Sequence, residues 1–155
     1  MKVVVQRVLK DEGDCPVPAQ AEFNRWARAI DRSAREVCVR IVDNREAQAL
    51  NRRYRGHSRV PNVLAFPFVS PAPEPDNYLG DVVLAARRVI DEARRGGITF
   101  TNHWAHLFVH GVLHLQGYGH CSEAQASRME SREIAILKKL DIPSPYADQA
   151  ASIDE

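Results

Sequence analysis

The chain has 155 residues, 45% hydrophobic and 26% charged, the make-up of an ordinary soluble globular protein with one sizeable core. Its formal net charge of +1 singles out neither nucleic acid nor a lipid surface, and no apolar run is long enough to span a bilayer. Of 21 basic residues 17 are Arg, which suits phosphate binding but would also follow from an Arg-rich proteome.

MKVVVQRVL, residues 1–9, is rich in Val and reads as a strand. From Pro18 to about Arg32, Ala19, Phe23, Trp26, Ala27 and Ile30 recur at helical spacing. EVCVRIVD (36–43) alternates and reads as a second strand. Asp43 with Glu46 resembles a capping box opening a helix that ends near Tyr54, with Ala47, Leu50 and Tyr54 as its inner stripe. NVLAFPF (62–68) is a third strand, placed at an edge or broken by Pro61 and Pro67. A loop rich in Pro and acid, SPAPEPDN (70–77), leads to LGDVVLA (79–85), a fourth strand paired hairpin-like with the third.

A helix follows from about Ala86 to Arg95 and stops at Gly96-Gly97. Another starts near Thr99 or Thr101 and runs to about Gln116. Ser122 and Gln125 form a capping box for a last helix reaching about Leu140. Residues 143–155 are expected to be a flexible tail. The order β-α-β-α-β-β-α-α-α implies an α/β (α+β) fold: one domain over residues 1–142, a small mixed four-stranded sheet and about five helices. Cys15, Cys38 and Cys121 are scattered and odd in number, which points to a reducing cytoplasm and no disulfide framework. Cys121 reads as a buried filler rather than a ligand or redox thiol.

Five of the six histidines lie between residues 103 and 120. At about 100° per residue, His103, His106, His110 and His114 share one side of a helix. Trp104, Leu107, Phe108 and Leu115 flank that stripe, so part of it is buried, and imidazoles grouped in a dry place are costly without a shared cation. His110 and His114, one turn apart, can aim their ring nitrogens at one ion at about 2.1 Å each. Gly117 stands where a left-handed residue would stop the helix and return His120 toward the same ion. Three His ligands leave a fourth tetrahedral position for water, the mark of a catalytic rather than a structural site. The spacing is that of the metzincin pattern H-E-x-x-H-x-x-G-x-x-H, but Gly111 stands in place of its catalytic Glu, so that protease mechanism is not expected. His106 reads as a core residue or as one behind the ligands.

HGVLHLQGYGH (110–120) resembles the motif H-G-x-L-H-L-x-G-Y-D-H of the YbeY family of bacterial metal-dependent endoribonucleases. YRG (54–56), NVLAFPF, LGDVVLA and HWAHLFVHG (103–111) resemble further family segments, in order, over roughly residues 36–140. The resemblance implies a single-domain α/β fold and one zinc ion held by His110, His114 and His120. It implies cleavage of single-stranded RNA in the cytoplasm, maturation of ribosomal RNA including the 3′ end of 16S rRNA, and ribosome quality control. The implied partners are rRNA and the ribosome or its small subunit, with neither DNA nor membrane. Arg55 matches the Arg taken as important for catalysis. Three imidazoles would also suit another divalent transition metal. Gly119 replaces the family's Asp, Pro61 its Thr and Ala65 its Ser.

A divalent ion lowers the pKa of a bound water toward about 7, which would reduce the need for a carboxylate base; alternatively a ribose 2′-OH attacks a polarised phosphate. Either way negative charge grows on phosphoryl oxygens, and Arg55 is an always-charged donor suited to it. With Arg52, Arg53, His57 and Arg59 it forms NRRYRGHSR, the densest basic stretch, read as a track for RNA backbone or as a solvated helix face. Tyr54 and Phe66 are better placed in a core than under bases. Asn62 and Asp81 either orient a ligand histidine or serve a turn. Two other readings remain open: a ribosome-associated assembly factor with a structural zinc, and a metal-dependent hydrolase of a non-RNA substrate.

Overall fold

Val-rich strands carry the centre of the sheet. The computed structural model describes residues 1–10, 15–71 and 77–146. In it β1 (Lys2–Val8) pairs in parallel with β2 (Glu36–Val42), from Lys2 opposite Glu36 to Val8 opposite Val42. β3 (Val63–Pro67) runs antiparallel to β4 (Tyr78–Ala85), and β4 lies parallel to β2, giving the order β1-β2-β4-β3. β3 is thus an edge strand, where Pro67 costs no ladder hydrogen bond on a neighbour.

Among the described residues there are five helices: α1 (Gln20–Ile30), α2 (Asn44–Arg55), α3 (Ala86–Gly96), α4 (Phe100–Leu115) and α5 (Glu123–Lys139). Strand alternation sends Val82 and Leu84 of β4 to one face and Val83 and Ala85 to the other. The first face meets α1, α4 and α5 in the main core, around Phe23, Trp26, Trp104, Phe108, Met129 and Leu137. The second face is covered by α2, through Ala47 and Leu50, in a smaller cluster. α4 is buried without interruption from His103 to Leu113, as befits a helix enclosed on all sides. It packs on β3, β4, α1, α3 and α5, which buries His103, His106 and His110.

The expected elements are present, with local differences. Asp43 is the N-cap of α2 but makes no side-chain cap bond; its Oδ2 instead accepts Lys10 N–H at 2.7 Å. Glu46 is drawn to Arg40 at 3.0 Å, so the expected capping box gives way to contacts with the chain around β1 and β2. Ser122 does cap α5, its Oγ accepting Gln125 N–H at 3.1 Å, but the Gln125 side chain bonds Cys121 N–H rather than completing the box. α2 continues past Tyr54 to Arg55, and Tyr54 is 58% exposed, with its ring edge-on to Phe66 instead of in the core. Cys121 is exposed rather than buried. Ile142 belongs to the main core and Tyr146 hydrogen-bonds Glu133, while residues 147–155 of the expected tail lie outside the described residues.

A half-buried carboxylate locks α3 to α4 and to the start of β3. Glu92 Oε1 lies 2.9 Å from His103 Nε2 and 3.0 Å from Asn62 Nδ2, and Oε2 accepts from Arg88 Nε at 3.0 Å. Asn62 therefore serves this junction. Burial alone would raise the Glu92 pKa, but the hydrogen bonds from His103 and Asn62 and the nearby Arg88 charge hold it below the usual carboxylate range. A depressed carboxyl pKa stabilises the fold above the ordinary carboxyl pKa and ceases to do so as pH falls through the lowered value. Glu92→Gln should therefore cost about 1–2 kcal/mol near pH 7. The gap to wild type should close in acid, as followed by urea unfolding across pH; an equal gap at all pH values would contradict this.

Candidate metal centre

The C-terminal end of α4 builds the site. His110 and His114 stand one turn apart, and the helix stops just after them. Gly117, at φ 101°, occupies the left-handed region that a side chain would strain. Gly117 N–H bonds His114 O at 3.0 Å and Tyr118 N–H bonds Leu113 O at 3.1 Å, the paired closure of a Schellman motif. The chain turns back, and Cys121 N–H is then held by Gln125 Oε1 of α5 at 3.1 Å. Held on both sides, His120 points at the helix it has just left.

The three rings converge. His114 Nε2 lies 3.1 Å from His110 Nε2 and 3.2 Å from His120 Nε2, and one donor atom from each residue falls within 4.8 Å of the others. Two nitrogens about 2.1 Å from one ion at the tetrahedral angle are about 3.4 Å apart, so this spacing fits a shared metal. A lone N–H on His114 cannot satisfy both neighbours, whereas a cation would engage all three lone pairs. Burial grades across the cluster: His110 is enclosed, His114 partly so and His120 exposed. The open side of the site therefore faces solvent.

Behind His110 stands a carboxylate that the motif does not contain. Glu133, fully buried on α5, holds His110 Nδ1 at 2.6 Å through Oε1 and His106 Nε2 at 3.0 Å through Oε2. Burial alone would raise the Glu133 pKa, but hydrogen bonds from His106 and His110 outweigh it and hold the carboxyl at about 2. An ionised Glu133 only accepts, so His110 carries its proton on Nδ1 and presents an unprotonated Nε2 to the cluster. His106 is depressed in pKa by burial, though the Glu133 contact opposes this. The signal for Glu133 lies in its position: it is four residues after Met129 and four before Leu137, an acid on the core-facing stripe of α5.

Gly111, in place of the metzincin Glu, lies under the sheet. A Cβ there would meet Val82 Cγ1 at 2.7 Å, with Val82 Cγ2 and Val63 Cγ2 at 3.2 and 3.3 Å. Gly119, by contrast, has room: its Cβ would meet only Gln125 Oε1, at 3.6 Å, and its backbone lies outside the left-handed region. Gly119→Asp should thus leave stability within about 0.5 kcal/mol of wild type in urea unfolding. A loss of several times that would mean that the turn leaves no room for a side chain at 119.

Arg52, Arg53 and Arg55 occupy the last turn of α2 and Arg59 the loop after it, all exposed. The loop is held by Gln48 Nε2 on Ser58 O at 2.6 Å and Asn51 Nδ2 on Arg59 O at 3.1 Å. Arg53 lies over the Tyr54 ring at 5.3 Å. α2 covers the face of the sheet opposite α4, and among the described residues no hydrogen bond or ion pair ties Arg55 to the histidines. Asp81 accepts a hydrogen bond from Tyr78 on its own strand.

Comparison with known proteins follows the same lines. Residues 17–141 match the family model described as Endoribonuclease YbeY. A protein of Methylococcus capsulatus named Endoribonuclease YbeY is 46% identical over 146 residues, covering 94% of this chain and 97% of the relative. One of Thiobacillus denitrificans with the same name is 52% identical over 130 residues, covering 84% and 87%. The solution structure of TM1509 from Thermotoga maritima aligns with a TM-score of 0.55 at 20% identity, over 96% of this chain and all of that one, a likeness of fold. Among the described residues, no helix is long and apolar enough to cross a membrane.

Proposed function

The chain belongs to the YbeY family, and on that premise we propose that it is a zinc-dependent endoribonuclease cutting single-stranded RNA. The observation that carries this reading is the convergence of three imidazole Nε2 atoms at a solvent-facing corner, one of them set in its ligand tautomer by a buried carboxylate. Its setting is the cytoplasm and its substrate ribosomal RNA, with maturation of the 16S 3′ end and ribosome quality control as its roles, and the small subunit as partner.

His110, His114 and His120 hold the metal, which when bound supplies Lewis-acid polarisation and an activated water. The protein's own contribution begins with orientation. Glu133 fixes the His110 ring, and the Gly117 stop fixes His120 relative to α4. The exposed side of His114 and His120 leaves room for a phosphodiester, whereas a structural zinc would be closed by a fourth protein ligand. Glu133 cannot serve the substrate as a base, since both oxygens are engaged and the side chain is buried. Arg55 would offer its fixed positive charge to the phosphates of a strand that runs from the three rings to the end of α2, and Arg52, Arg53 and Arg59 would follow that backbone.

The test is cleavage of an end-labelled single-stranded RNA by purified protein with zinc, beside a duplex of the same sequence. The reading expects cuts in the single strand alone, loss on chelation, and restoration by zinc. Arg55→Ala should lower kcat/KM about 10- to 100-fold, with metal content unchanged. RNA left intact while a peptide substrate is turned over would overturn the reading, as would tight ribosome binding without cleavage.

A further inference from the structure

The segment after α5 returns to the histidine cluster. Ile142 N–H bonds Leu137 O at 2.9 Å and turns the chain, and Ile142 enters the core. Four residues later the Tyr146 hydroxyl donates to Glu133 Oε2 at 2.6 Å. The same oxygen receives His106 Nε2 at 3.0 Å, and the Tyr146 ring stands edge-on to His106, with centroids 5.7 Å apart and planes at 85°. Two donors on one carboxylate oxygen fix the plane of the group, because a terminal sp2 torsion is otherwise broad. The other oxygen is then aimed at His110 Nδ1, 2.6 Å away.

We propose that Tyr146 is a positioning residue of the metal centre. Through Glu133 it sets the orientation and donor strength of the His110 imidazole, although it touches neither metal nor substrate. The inference rests on the reading of His110 as a metal ligand. The C-terminal segment is thereby part of the site: without the hydroxyl, Glu133 keeps His106 alone on Oε2 and gains freedom to rotate away from His110. Partners at this remove from a metal commonly change its affinity 10- to 100-fold.

The full chain should be compared with Tyr146→Phe, Glu133→Gln and the double variant, without RNA. Zinc affinity is read by competition with a chromophoric chelator, and ligand geometry by the visible absorption of the cobalt-loaded protein. Tyr146→Phe keeps the ring against His106, so the fold should persist. It should weaken zinc binding about tenfold and alter the cobalt bands. In the Glu133→Gln background the same change should add little, since it acts through Glu133. Unchanged affinity and cobalt spectrum in Tyr146→Phe, beside tight binding by wild type, would overturn this inference and leave the endoribonuclease reading standing. Independent, additive losses in the double variant would overturn it as well. A wild-type chain that holds no zinc would sink both.

Discussion

His114→Ala should abolish stable metal binding and reduce RNA cleavage at least about 10³-fold, to the level of the chelated protein. His114 is the middle of the three: its Nε2 lies 3.1 Å from one neighbour and 3.2 Å from the other. Removing it leaves His110, buried and turned toward Glu133, and His120, exposed on the following turn, as a two-ligand remnant. Yet the fold has little stake in the ring. His114 is half-buried at the end of α4, and without metal its single N–H serves only one of its two neighbours. The metal-free variant should therefore unfold within about 1 kcal/mol of metal-free wild type. The loaded proteins should differ much more, because a ligand that binds only the native state raises stability by mass action. Elemental analysis after dialysis, thermal melts with and without zinc, and the labelled-RNA assay check the three statements. Full zinc content in His114→Ala would remove the proposed centre.

What could be read along the chain was what local chemistry decides. Gly117 stops α4 through bonds that reach only to Leu113 and His114, so the return of His120 was legible from spacing. The prolines around β3 placed it at an edge for an equally local reason: a missing N–H. Contacts made across the fold were not legible. Glu133 meets His110 from 23 residues away, on a helix whose rotation is set by packing, and nothing near it in the chain names its partner. Tyr146 reads from sequence as part of a tail, because its bond to Glu133 depends on the turn that follows α5. Asp43 looked like an ordinary cap until Lys10, 33 residues earlier, claimed its carboxylate. Tyr54 kept the helical spacing of a core residue, but α2 covers only a small face of the sheet and leaves its last turn in solvent.

The same divide explains Gly111. Writing glutamate there completes the protease-like string H-E-x-x-H, and by sequence pattern alone it should supply a base. The expected result is instead a badly destabilised protein with no new activity. A Cβ at 111 would sit 2.7 Å from Val82 Cγ1, and valine, stiff at χ1, cannot step aside. α4 would have to lift from β3 and β4, at an overpacking cost of about 1–3 kcal/mol. The rest of the side chain would then bring a carboxylate into the contact lined by Val63 and Val82, at a further cost of about 1–3 kcal/mol or more. Together these take a large share of the roughly 5–15 kcal/mol that holds a domain folded. Gly111→Ala meets the same valine but gains about 1 kcal/mol in helix propensity, so it should fall between wild type and Gly111→Glu in urea and thermal unfolding. A Gly111→Glu protein as stable as wild type would mean that α4 rides farther from the sheet than its glycine suggests. At the distance shown, one position cannot both lay the helix on β3 and β4 and carry a catalytic acid. Here packing holds it, and the chemistry of the site must come from the groups converging at its solvent-facing side.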